Sequence, residues 1–105
     1  MTHHATKIVI ITEKVIFDGV VKIIEAEGAS GYTVVAAGGK GSRGVRQAGR
    51  AAAVVDAFTN VKVEVIVSDR AMAESIADAV SQKYFENYSG ITYLEPVEIL
   101  RPSKF

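Results

Sequence analysis

Residues 61–85 read VKVEVIVSDRAMAESIADAVSQKYF, and a change of period within them is the key to the fold. Val61, Val63 and Val65 alternate with Lys62 and Glu64, the two-residue period of a strand with one face in a core. From Arg70 the period lengthens. Met72, Ile76, Ala79, Val80 and Phe85 form one stripe at helical spacing over residues 70–85, and Ser68 or Asp69 is suited to cap its start. The upstream half repeats this pattern. Lys7 to Thr12 (KIVIIT) is a short, β-branched run that reads as a buried strand. In residues 14–27 (KVIFDGVVKIIEAE), Val15, Ile16, Val20, Ile23 and Ile24 share one helical face, with Asp18, Lys22, Glu25 and Glu27 opposite. Gly28 and Gly31 stop that helix, and residues 32–37 (YTVVAA) return to strand. Asn87 to Gly90 is a turn, and Ile91 to Leu100 is a last strand in which Pro96 suits an edge or a bulge.

The resulting order, β-α-β-β-α-β, predicts an α+β ferredoxin-like sandwich: a four-stranded antiparallel sheet with both helices on one face. The other face then carries apolar side chains with no cover. Large exposed apolar patches are rare on monomers, so an oligomer is expected.

The chain has 105 residues, which is enough for one domain spanning residues 1–105. At 49% hydrophobic and 23% charged it is globular in composition. Twelve basic and twelve acidic residues cancel, which argues against a general nucleic-acid coat protein. With no cysteine there is no disulfide frame, thiol nucleophile or zinc ribbon. No apolar run approaches a membrane span, and Met1-Thr2-His3-His4 has no signal-peptide character, so the expected location is the cytoplasm.

Residues 38–50, GGKGSRGVRQAGR, are the segment that carries chemistry. Five of the nine glycines lie here, with Lys40, Arg43, Arg46 and Arg50, and no acid occurs between Glu27 and Asp56. A neutral chain has thus gathered positive charge in one glycine-rich loop. Glycine lets backbone N–H groups close around an oxyanion. Arginine forks grip phosphate in bidentate fashion, and Ser42 adds a hydroxyl donor. Anion binding outweighs a plain solvated loop on these grounds. A Walker A loop is excluded, because Gly39-Lys40 is followed by Gly41. Residues 39–44 do satisfy GxGxxG after a strand, with Glu64 and Asp69 downstream as candidate ribose acids. Against a dinucleotide site stand Arg43 and Arg46 in the loop and a poor opening helix over 45–58.

Other features point to structure. His3 and His4 read as a frayed tail. Glu13 and Lys14 read as a surface charge pair at the end of the first strand. Tyr84 and Phe85 fit helix core or interface better than base stacking, and no RNA-recognition strand motif is present. No Ser-His-Asp or Cys-His set is available for nucleophilic catalysis.

With GYTV (31–34), GGKGSR (38–43) and Arg46, VKVEVIVSD (61–69) and KYFENYSGITY (83–93), the chain resembles the PII-like signalling proteins over residues 7–100. It is most similar to the SbtB type and its carboxysome-associated relatives. The resemblance implies a homotrimer with nucleotide sites in the clefts between subunits. It also implies a T-loop, here about residues 38–59, that reports the bound ligand. The implied ligands are AMP, ADP, ATP and cyclic AMP, with no catalytic cofactor and no metal. Gly39, Lys40, Gly41, Ser42, Arg43 and Arg46 match the phosphate-binding loop base. Thr33 and Glu64 match positions near base and ribose. Tyr88, Gly90 and Ile91 match the segment that closes over the nucleotide from the adjoining subunit, and Arg101 falls near a phosphate contact. Bicarbonate is an expected second ligand at Gly39 and Lys40. The implied biology is inorganic-carbon uptake or carboxysome function, through a bicarbonate transporter or a carboxysome-associated protein. The rival reading is a small enzyme that slowly hydrolyses or uses a nucleotide. No tyrosine lies between Tyr32 and Tyr84, so nucleotidylation of the loop is not expected.

Overall fold

The alternation of valine with charged residues in the third strand sets up the whole core. In the computed structural model, which describes residues 1–38 and 59–101, Val61, Val63, Val65 and Val67 all point to one side and are buried. They belong to β3, Asn60–Val67. It pairs antiparallel with β1, His3–Glu13, placing Val65 opposite Ile8 and Val63 opposite Ile10. The same face is covered by α1, Phe17–Ala26, and α2, Arg70–Tyr84, through Val20, Ile24, Ala73, Ile76 and Val80. Burying each such aliphatic side chain is worth about 1.5–3 kcal/mol. β2, Thr33–Ala37, flanks β3, and β4, Gly90–Ile99, flanks β1. The sheet order is β2-β3-β1-β4, and every neighbouring pair is antiparallel. This is the expected ferredoxin-like sandwich. The antiparallel β2–β3 pair also removes the dinucleotide reading, since that motif needs a parallel crossover between its strands.

The helix ends follow local chemistry. Gly28 has φ 95°, a left-handed conformation that costs glycine nothing. Its N–H donates to the Glu25 carbonyl at 3.0 Å, and Ala29 N–H donates to Ile24 at 3.3 Å. These are the two bonds of a Schellman cap. At the start of α2, Asp69 is the cap: its Oδ1 accepts from Ala71 N–H at 2.9 Å. Among the described residues no helix is long and apolar enough to cross a membrane.

Three expectations need correction. His3 and His4 are not a frayed tail; they extend β1 and pair with Ile99 and Glu98 of the ten-residue β4. Val15 leaves the apolar stripe and is 76% exposed. Lys14–Ile16 form a 3₁₀ turn, whose larger angular step per residue swings Val15 outward, and Phe17 packs against the core instead. Ala73, absent from the expected α2 stripe, is fully buried.

The second face of the sheet is partly open. Val35, Ile91 and Tyr93 expose 52%, 57% and 39% of their surface there. Between them runs a charged row. Lys7 Nζ lies 3.8 Å from Glu64 and 3.4 Å from Glu95, and Lys62 Nζ lies 3.5 Å from Glu64.

Candidate functional site

Gly39, Lys40, Gly41, Ser42, Arg43 and Arg46 lie outside the described residues. The two ends of their segment do not. Gly38 follows β2, Thr59 precedes β3, and Ala37 pairs with Asn60. The chain therefore leaves the sheet and rejoins it at adjacent strand ends.

That end of the sheet is tied together by hydrogen bonds. Lys14 N–H donates to the Thr59 carbonyl at 2.7 Å. One residue earlier, Glu13 Oε2 accepts the Ser89 N–H at 2.6 Å. One residue earlier again, the buried Thr12 hydroxyl donates to the Ser89 carbonyl at 2.8 Å. Consecutive residues 12–14 thus hold the turn before β4 on one side and Thr59, just before β3, on the other. A cleft of about 430 Å³ opens beside them, lined by Glu13, Lys14, Val15 and Thr59.

The base and ribose candidates form two groups. Thr33 and Glu64 face each other directly across β2 and β3. Glu64 is the acceptor in the charged row, held by Lys7 and Lys62. Tyr88, Gly90 and Ile91 lie at the opposite edge. Tyr88 N–H donates to the Tyr84 carbonyl at 2.8 Å, and the two rings meet edge-on at 6.1 Å. Tyr84, Phe85 and Tyr88 all pack against the core, as expected for the first two. Gly90 pairs with Thr12 and Ile91 with Ile11. Arg101 is exposed just beyond β4. β2 and β4 are the two edges of the sheet, about 14 Å apart at ordinary strand spacing. Thr33 and Ile91 therefore stand on opposite edges of the sheet in one copy of the chain.

Sequence reading missed the Glu13–Ser89 bond, which joins positions 76 apart. No local pattern records such a pair. Among the described residues, no cluster of three or more His, Asp or Glu side chains is arranged to hold a metal ion.

The geometry has counterparts among known proteins. A PII-like structure assigned to signalling, from Thermus thermophilus, superposes with a TM-score of 0.77 at 28% identity; the match covers 99% of this chain and 97% of that one. CPII from Thiomonas intermedia, bound to ADP and bicarbonate, gives a TM-score of 0.81 at 24% identity, covering 100% of this chain and 97% of the other. CPII bound to ADP, AMP and bicarbonate gives 0.77 at 20% identity, covering 95% and 99% of the two chains. The family model for nitrogen regulatory protein P-II matches residues 5–104. With a match over nearly its whole length, on the expected fold, the chain belongs to the P-II family and is a PII-like signalling protein.

Proposed function

We propose that this protein is an adenine-nucleotide sensor that works as a homotrimer and signals through residues 38–59. The observation that carries the reading is the convergence at one end of the sheet. Gly38 and Thr59, the two ends of residues 38–59, lie there beside the Glu13–Lys14 corner and the turn before β4. A ligand held by that segment acts directly on the points where it leaves the sheet. Its affinity must differ between two arrangements of the segment for binding to become a signal. A tenfold difference is about 1.4 kcal/mol. One charge-assisted hydrogen bond supplies about that much.

In this reading Arg43 and Arg46 neutralise the phosphates, and the backbone of Gly39, Lys40, Gly41 and Ser42 cradles them. Thr33 and Glu64 of one subunit and Tyr88, Gly90 and Ile91 of the next flank the base and ribose, and Arg101 reaches a phosphate. The separation of these groups on opposite sheet edges supports a site shared between copies. The exposed Val35, Ile91 and Tyr93 give the copies an apolar face to share. ADP, AMP and bicarbonate in the CPII structures support AMP and ADP as ligands, with ATP and cyclic AMP as further candidates. They also support bicarbonate at Gly39 and Lys40. The process regulated is inorganic-carbon uptake or carboxysome function, in the cytoplasm, through a transporter or carboxysome-associated partner. The protein acts by binding, not by catalysis.

Calorimetric titration with AMP, ADP, ATP, cyclic AMP and NAD, each with and without bicarbonate, tests this. Micromolar adenine-nucleotide binding, one per subunit and lost in Arg43→Ala/Arg46→Ala, is the expected result. Silence across the panel refutes nucleotide sensing. Preference for NAD, or phosphate release abolished by Lys40→Ala, points to an enzyme instead.

A further inference from the structure

A lysine crosses the middle of the open sheet face, and its charge is cancelled from both sides. Lys7 stands on the inner strand β1, directly opposite Glu95 on β4. Its Nζ lies 3.4 Å from that carboxylate and 3.8 Å from Glu64 on β3. Glu64 in turn meets Lys62 Nζ at 3.5 Å. The row is thus two cations and two anions, all paired within one chain. Apolar surface flanks it, from Val35 on one side and from Ile91 and Tyr93 on the other. A face built for a strongly charged partner carries a surplus of the opposite charge. This row has none. A face shared among symmetry-related copies presents the same residue from every copy, so an uncancelled lysine there would meet like charge. A row that is neutral in itself fits a second copy of this chain.

We propose that Lys7 is the residue that lets copies of this chain cover the open sheet face, because it keeps Glu95 and Glu64 neutralised inside the contact. The inference rests on the homotrimer reading above and names the side chain on which that assembly depends. In a single chain the row is partly exposed, and losing an exposed pair matters little. Between copies the same loss is severe. Without Lys7, Glu64 keeps Lys62, but Glu95 has no other cation beside it among the described residues. A covered carboxylate without its partner is far more costly than a neutral replacement of the whole pair. Lys7→Met should therefore weaken assembly, and Glu95→Gln added to it should restore assembly by removing the orphaned charge.

Sedimentation over a range of protein concentrations tests this on wild type, Lys7→Met and Lys7→Met/Glu95→Gln, with urea unfolding to confirm that each chain folds. Lys7→Met should raise the concentration at which the assembly half-dissociates by at least about tenfold. The double variant should return close to the wild-type value. Acetylation of wild type, read by mass spectrometry, needs no variant to fold. Lys7 should react at least about tenfold more slowly than Lys22, which is exposed on α1. If wild type is an oligomer and Lys7→Met assembles as well, or the double variant stays as weak as the single one, the proposal fails while the homotrimer reading stands. Lys7 acetylated as fast as Lys22 in the assembled protein also overturns it, because the row is then not covered. A monomeric wild type means that the homotrimer reading itself has failed, and the role of Lys7 falls with it.

Discussion

The Phe85 ring lies over Gly90: a Cβ at Gly90 would clash with Phe85 Cε1 and sit 2.9 Å from Thr12 Oγ1. Two neighbours therefore require a hydrogen at this position, and each is constrained. Phe85 packs against the core, and Thr12 is buried and bonded to Ser89. Gly90→Ala should destabilise the protein by about 1–3 kcal/mol, the usual cost of overpacking. Urea unfolding at fixed protein concentration measures it. Adding Phe85→Leu should recover part of the loss, because the smaller side chain makes room. An equal loss in both backgrounds would assign the cost to the backbone.

Thr12 offers a cleaner view of the same corner. Its hydroxyl is buried and donates to the Ser89 carbonyl 77 positions away. Thr12→Val keeps the shape and removes the donor. Loss of this bond should cost about 0.5–1.5 kcal/mol. Hydrogen exchange should also speed up in residues 85–90 before the rest of β4, since the turn loses one of its two ties to β1. Uniform exchange across β4 would contradict the view of Thr12 as a local clamp.

Much of the fold was legible because its signals are local. The valine alternation of residues 61–67 became β3 with one buried face, and Gly28 ended α1 as expected. Legibility failed where a partner distant in sequence decides. His3 and His4 are strand only because β4 is long enough to pair with them. Val15 has the right spacing for a helix, but spacing arithmetic assumes 3.6 residues per turn, and a 3₁₀ turn has three. The positively charged half of the candidate site was visible as composition. Glu13, at the same end of the sheet, was visible only as a strand-end acid, because its partner Ser89 lies 76 positions away.

The start of α2 gives an independent stability test. Asp69 Oδ1 accepts from Ala71 N–H, and Arg70 pairs with Glu74 one turn later at 3.0 Å. Asp69→Ala should cost about 1 kcal/mol, the ordinary loss for an N-cap. Arg70→Ala should cost only a few tenths, roughly 0.3–0.5 kcal/mol, because the pair is exposed. Thermal melts of the two variants should therefore separate clearly. Comparable shifts would mean that the ion pair, not the cap, holds the first turn.

Val35 tests whether the open face and the proposed ligand site depend on each other. It lies on the edge strand β2, 52% exposed, directly opposite Lys62. In a single chain, Val35→Glu removes little buried surface and gains a cross-strand partner in Lys62, so folding should survive. In an assembly built on this face, the same substitution puts a charge into an apolar contact, which is strongly unfavourable without compensation. Sedimentation should show Val35→Glu as a folded monomer where wild type is a trimer. Nucleotide affinity should fall by at least tenfold with it, although Val35 is not among the candidate site residues. Thr33 and Ile91 sit on opposite sheet edges, and in the proposed function the two kinds of residue meet one ligand where two copies adjoin. A monomer that binds AMP as tightly as wild type would put the whole site within one chain, and the edge-to-edge separation would then have to be bridged by residues 39–58 alone.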